Sequence, residues 1–429
     1  MKASCSLAEW KHGGRQVLVA VHGDLHRPAI WRLGDAGLRG VHGEAQPEKA
    51  MTDDDHGSKS EGNLELFFDL VFTFAMSQVT RLVLQDLSPA GFGRAALALL
   101  AVWWAWVGYT WLINTFDTQG VRHQAAVMAA MAAMLVAAAA LPMAFSSGAL
   151  VFAIALLVVR LIHVVEFVVS SSGEDDDMRR SIRRLAPAFV AAPACIVAAA
   201  FVDTPGRELL WVAAAVIDYG APAVFGLGGF RVSPSYFVSR HGSIIIIALG
   251  LAITELGAGA TDLHRFEVVT ALVLGVAIMA TFWWTYFGLT GGAQQRLEQA
   301  TGTQRAQLAR DAYSYLHLPL VAGITLFAVG AHAAVERASS PLPLLSAIAL
   351  AGGMALFYLG DGAYRWRDHR QIPINRAATG IAAAATLPVL LHVSAIAALG
   401  LLTVIGGLRL AWELRRHPHV GPGVAGQAR

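Results

Sequence analysis

Two carboxylates four residues apart, Glu65 and Asp69, open the first long apolar stretch of the chain, ELFFDLVFTFAMSQVT (65–80). On a helix turning 100° per residue, Glu65, Asp69, Thr73, Met76 and Thr80 fall within an arc of about 80°, while Phe67, Phe68 and Phe74 belong to the apolar remainder. Ionisable groups at membrane depth are costly and turn toward protein or a water-filled cavity, so this stripe is the first candidate for binding a cation or exchanging a proton. The alternative makes Glu65 interfacial and Asp69 the neutralised partner of an arginine.

A second constellation, Arg160, His163 and Glu166, is spaced i, i+3, i+6, so neighbouring members touch on a helix. Arg160 sits near the middle of its apolar stretch and needs a carboxylate, with Asp69 preferred over Asp218. The bland reading is a structural ion pair that fixes helix register. Asn114, Asp117, Arg122, His123, His241 and His317 complete the candidates for binding a solute or ion, all toward one end of the predicted spans. His163, His241 and His317 come from separate stretches with no H-x-x-x-H or E-x-x-H spacing, and no metal is expected.

What positions these groups is a membrane bundle. Of 429 residues 55% are hydrophobic and 14% charged, against roughly 25% charged in a soluble domain. Runs of about 20 apolar residues recur from 64 to 414. They predict an all-α fold, a polytopic transmembrane helix bundle of about twelve spans. Six fall near 64–85, 92–114, 124–145, 148–170, 186–203 and 207–230. Six more fall near 240–259, 265–288, 312–335, 341–361, 374–391 and 393–413, the last pair readable also as one kinked helix. Arginines gather on alternate loops, at 122, 179–184, 231, 296–310, 365–370 and 415–416, which by the positive-inside rule puts both termini in the cytoplasm of a bacterial inner membrane.

VWWAW (102–106) and FWWTY (282–286) lie about 180 residues apart, as two parallel six-span repeats, 61–235 and 236–416, would place them. The alternative reads the tryptophans as interfacial anchors. Residues 1–60 read as an N-terminal extension without fixed structure, with Met51 the expected true start, and 417–429 as a disordered tail. The net charge of +2 implies no nucleic-acid partner, and Cys5 and Cys195 make no disulfide framework. No phosphate loop, nucleophile elbow or dinucleotide fingerprint is present, so neither a cofactor nor an enzymatic activity is expected. The basic half of EDDDMRRSIRR (174–184) is suited to anionic lipid headgroups, making membrane lipids the expected partners.

The stretch 65–80 resembles the hallmark of the bacterial low temperature requirement A (LtrA) family. The resemblance continues through WLINTFDT (111–118), RHGSIIIIALG (240–250), FWWTYFG (282–288) and YSYLHLPLVAGI (313–324), covering most of 64 to about 410. Glu65, Asp69, Asn114, Asp117, Arg122, Arg240, His241, Gly242, Tyr315, His317 and Pro319 keep the family pattern. Ser239, Leu251 and Gly288 stand where the family usually has carboxylates, which leaves the acidic groups expected mainly in the first half. The resemblance implies a many-span membrane protein named for a cold-growth phenotype. It names the fold better than the activity. The leading expectation is a secondary transporter or permease for a small solute or cation, with a charged vestibule open to the cytoplasm. A cation channel of the six-span-repeat type is one alternative, lined by apolar residues including Ile244 to Ile247. A non-transporting membrane factor for growth at low temperature is another.

Overall fold

The computed structural model describes residues 62–116, 120–288, 291–369 and 374–416, together with two short strands near the N-terminus. The chain forms two compact units, 1–56 and 57–429. In the first, β1 (Ser6–His12) pairs antiparallel with β2 (Arg15–Val21), from Ser6 opposite Val21 to His12 opposite Arg15. This differs from the unstructured extension expected there. The VLVAV run is the second strand, where β-branched valines favour extended backbone. The expected tail at 417–429 lies outside the described residues.

The second unit is helical. Its first half comprises α1 (Asn63–Gln85), α2 (Pro89–Thr115), α3 (Val121–Ala140), α4 (Ala149–Ser170), α5 (Asp176–Ala199) and α6 (Gly206–Phe225). Its second half begins with α7 (Pro234–Ala258) and α8 (Phe266–Phe287), followed by the short α9 (Gly291–Gln299) and α10 (Gly302–Leu308). A π-helical turn (Ala309–Tyr315) leads into α11 (His317–Glu336). The chain continues through α12 (Leu344–His369), α13 (Ile374–Ala385), α14 (Leu387–Leu390) and α15 (Ala395–Arg416).

Among the described residues eleven helices are long and apolar enough to cross a membrane, one fewer than expected. The missing one is the predicted span 374–391, broken into α13 and α14. Pro388 has no N–H to offer the Ala384 carbonyl, which removes a bond of the helix ladder where α13 gives way to α14. The segment nevertheless crosses the bundle. Ala395 N–H donates to Ser340 O at 2.9 Å and Ile396 N–H to Ala338 O at 3.1 Å, which ties the start of α15 to the loop preceding α12. The 26 residues of α12 carry the chain about 39 Å from that loop, and only α13 and α14 bring it back. Among the described residues, eleven long helices and the broken α13–α14 segment thus traverse the bundle.

The helices leave apolar stripes on the outside. On α4, Val151, Ile154, Val158, Leu161, Val165 and Val168 are exposed at intervals of three and four, while Arg160 and His163 are buried on the opposite face. A water-facing helix inverts that arrangement, and a lipid-facing one requires it.

Packing also carries the repeat. α1 rests on α2 and α3, α2 on α4 and α6, α3 on α4, α4 on α5, and α5 on α6. Put α7, α8, α11, α12, α13 and α15 in place of those six, in order, and every pair recurs. The tryptophan pairs do not carry it. Trp103 and Trp104 are buried in the bundle, not anchored at an interface, whereas Trp283 is partly exposed. α11 and α12 pack against each other most extensively. A Cβ on Gly330 would fall on the backbone of Leu350, and one on Gly353 on the backbone of Phe327. Small residues that let backbones approach are a principal means of helix association where lipid removes the hydrophobic drive.

Candidate functional site: an ion pair between the repeats

The two halves meet where α1 and α2 pack against α7 and α11. At that seam Asp69 and Arg240 form a fork-to-carboxylate pair. Arg240 Nη1 donates to Asp69 Oδ2 at 2.7 Å and Nη2 to Oδ1 at 2.8 Å, and neither side chain is more than 1% exposed. Trp106 Nε1 donates to Oδ1 at 2.9 Å, and its ring centre lies 5.6 Å from the guanidinium carbon. Each partner is the seventh residue of its helix, counted from Asn63 on α1 and Pro234 on α7. Parallel repeats bring such equivalent residues to the same depth, and at the axis between the halves a residue faces its own counterpart. Like charges there would repel, and the chain instead has an acid in one repeat and a base in the other.

Beside the pair lies a cluster of imidazoles and phenols. His241 Nδ1 bonds Phe237 O at 2.8 Å, and His317 Nδ1 bonds Ala312 O at 2.9 Å. A carbonyl only accepts, so Nδ1 is the donor in both rings. His317 Nε2 then accepts from the Tyr286 hydroxyl at 2.9 Å. The rings of His241 and His317 are 5.0 Å apart, and Trp106 meets His241 edge-on at 5.1 Å. The π turn makes this possible. Leu316 N–H reaches back five residues to Asp311 O at 3.2 Å, which frees Ala312 O for His317. Ser314, on the same turn, accepts from Trp103 Nε1 through its carbonyl at 2.8 Å and from Trp111 Nε1 through its hydroxyl at 2.9 Å.

Residues 61–411 match the family described as bacterial low temperature requirement A protein. The chain belongs to the LtrA family. It is also 28% identical over 327 residues to an uncharacterized protein of Rhizobium meliloti (strain 1021), a match that covers 72% of this chain and 78% of the relative.

The remaining expected residues of this LtrA protein separate into three places. Arg160 pairs with Asp218 of α6, Nη2 to Oδ1 at 2.6 Å, and not with Asp69, the partner preferred from the sequence. Both acids were within reach by depth, and Arg240 takes Asp69 from the axis. His163, one turn along α4 from Arg160, is buried among aromatic rings, Phe167 at 4.8 Å and Tyr109 at 5.4 Å. Glu166, a further turn on, joins α4 to α3, with His123 Nδ1 at 2.5 Å and Arg122 Nη1 at 3.6 Å. Asn114 holds the linker between the halves. Its Nδ2 donates to Arg231 O at 2.7 Å and its Oδ1 accepts from Ser233 N–H at 2.9 Å. Glu65 is buried in the first turn of α1, its carboxylate against Gly62. Asp117 lies outside the described residues. Asp69, His241 and His317 are packed inside the bundle, and His163 is buried beside a cavity between α2, α4 and α5.

The largest group of buried charges was not foreseen. Asp361 of α12 pairs with Arg365 at 3.2 Å and with Arg376 of α13 at 2.5 Å. Arg376 also reaches Glu413 of α15 at 3.2 Å, and Glu413 pairs in turn with Arg409. All five side chains are buried. The acidic groups are therefore not concentrated in the first half. Ending the tenth span at residue 361 placed Arg365 in a loop, whereas α12 continues to His369 and carries Arg365 inside. The i,i+4 spacing of Asp361 with Arg365, and of Arg409 with Glu413, was the available signal.

Proposed function

We propose that this LtrA protein is a secondary transporter of the bacterial inner membrane, with both termini cytoplasmic, whose two repeats move against each other across the Asp69–Arg240 pair. The observation that carries the reading is a paired charge at equivalent positions of two similarly packed six-crossing halves. Rocking of one repeat on the other exposes a central site alternately to each side, and substrate and coupling-ion sites near the midplane between repeats suit such motion. Protonation of Asp69, or arrival of an anionic group at Arg240, breaks the pair and lowers the cost of separating the halves. The channel reading is less well supported, because Ile244 and Ile245 are buried in helix packing and Ile246 is exposed on the outer face, so the three do not form one constriction.

The test is flux into proteoliposomes that enclose a pH-sensitive dye, with organic acids, amines, sugars and alkali cations supplied outside. Wild-type protein is expected to move protons with at least one class. Asp69→Asn is expected to lose at least ten-fold of that flux, and Arg240→Lys, which keeps the charge and loses the fork, to retain part of it. A silent wild type, or flux unchanged in Asp69→Asn, would overturn the assignment and leave a scaffold role.

A further inference from the structure

His241 Nε2 has no hydrogen-bond partner in the chain and is sealed from water. Turning the ring to find one would give up the bond that Nδ1–H makes to Phe237 O at 2.8 Å, one turn back on α7. His317 is held the same way and is complete. Its Nδ1 gives a proton to Ala312 O, and its Nε2 accepts from the Tyr286 hydroxyl at 2.9 Å. Of two imidazoles 5.0 Å apart, one has its lone pair filled and the other has it bare. A buried acceptor left without a donor costs stability, which a ring kept only for packing would avoid.

Trp106 covers His241. It belongs to α2, in the first repeat, and meets the imidazole edge-on at 5.1 Å across the seam, while its Nε1 donates to Asp69 Oδ1 at 2.9 Å. The cover is thereby tied to the ion pair. The titratable and charged groups around His241 are Arg240 on its own helix, Asp69 of α1, Tyr313 of the π turn and His317 of α11, with Tyr286 of α8 behind His317. α9 also packs on α7, and its Arg296 and Glu298 are exposed. Asp69 already serves Arg240, so among these groups no buried carboxylate is left for an imidazolium at His241 while the seam is closed.

We infer that His241 Nε2 is a proton-binding site gated by the seam, loaded when the repeats separate and held empty when they close. A proton is the ligand that fits, because a lone pair with no open space in front of it admits nothing larger. When the first repeat withdraws, Trp106 leaves with it and water reaches Nε2. The lone pair then takes a proton from hydronium, leaving water, and Nδ1–H keeps its bond to Phe237 O. Closing on the imidazolium buries a second cation beside Arg240, so a proton at His241 favours the separated arrangement. The use of that proton to drive a solute rests on the transporter reading, whereas its binding does not.

The experiment is nitrogen NMR of the full chain in lipid vesicles with isotope-labelled histidine, the His241 signals being picked out by difference from His241→Gln. A bare ring nitrogen and a protonated one give separate signals. Acidification from about pH 8 to about pH 5, which brackets the ordinary histidine range, is expected to convert a minor fraction of His241 to imidazolium in the wild type. Trp106→Phe keeps a ring over His241, leaves every charge in place and removes the tie to Asp69, and the converted fraction is expected to rise about three-fold or more. Asp69→Asn/Arg240→Gln gives an independent variant with a rise at least as large. A His241 signal that stays bare to about pH 5 in all three proteins, or converted fractions equal in all three, would overturn the site. His241 is read directly, so a protein that loaded it and moved no protons into liposomes would keep the site and lose the transport reading. Proton flux beside a His241 that never loads would do the reverse.

Discussion

Arg240→Gln is expected to destabilise the folded bundle by about 3–5 kcal/mol, because it leaves the Asp69 carboxylate buried without its counter-charge. Asp69→Asn should cost a similar amount for the reciprocal reason. The double variant Asp69→Asn/Arg240→Gln is expected to recover most of the loss, since two neutral amides can hydrogen-bond each other and Trp106 still finds an acceptor at position 69. The difference between the summed singles and the double isolates the pair's own coupling. Melting temperature in detergent, followed by the fraction surviving size exclusion after heating, supplies all four corners of the cycle. Additive losses would mean that the two residues act separately and that the seam between the repeats is held by packing alone.

A loss at least as large is expected from Asp361→Asn. This carboxylate serves Arg365 and Arg376 together, one on its own helix and one on α13. Removing Asp361 takes the carboxylate from Arg365 and leaves Arg376 to share Glu413 with Arg409. Breaking one buried pair costs about 3–5 kcal/mol, and here two pairs break at once. Folded protein recovered from the membrane fraction should fall sharply, and Asp361→Asn/Arg376→Leu should restore part of it by removing a charge. Asp176→Asn is the matched control. It breaks an exposed pair with Arg179, 2.6 Å apart, that solvent screens, and should shift the melting temperature little. Equal effects of the two acid substitutions would argue that the network is hydrated.

The all-helical bundle and the positions of most of its long apolar helices were legible in the sequence, because they follow from apolar length and periodicity. The partner of Asp69 was not. Arg160 and Arg240 both lie at suitable depths on their helices, and periodicity says nothing about which helices touch. The repeat register breaks the tie, since Asp69 and Arg240 hold the same position in α1 and α7. His163 was singled out by its spacing from Arg160 and Glu166, yet the three serve different ends. Arg160 holds α6, Glu166 holds α3, and His163 faces a cavity. Spacing places side chains on one face of a helix, while the neighbours that face meets are decided by packing. The break at 374–390 was readable only in part, since Pro388 removes one bond of the helix ladder while Pro187 and Pro193 lie inside an unbroken α5.

The claim that the Asp69–Arg240 pair holds one arrangement of two mobile repeats is tested most directly by distance. Spin labels at Val121 and Ile374, both exposed and one on each repeat, allow electron–electron double resonance in lipid nanodiscs once Cys5 and Cys195 are replaced by serine. The account predicts a major distance and a minor second one in the otherwise wild-type protein, with the minor population growing several-fold in Asp69→Asn/Arg240→Gln. A single distance, superimposable in both proteins, would contradict it.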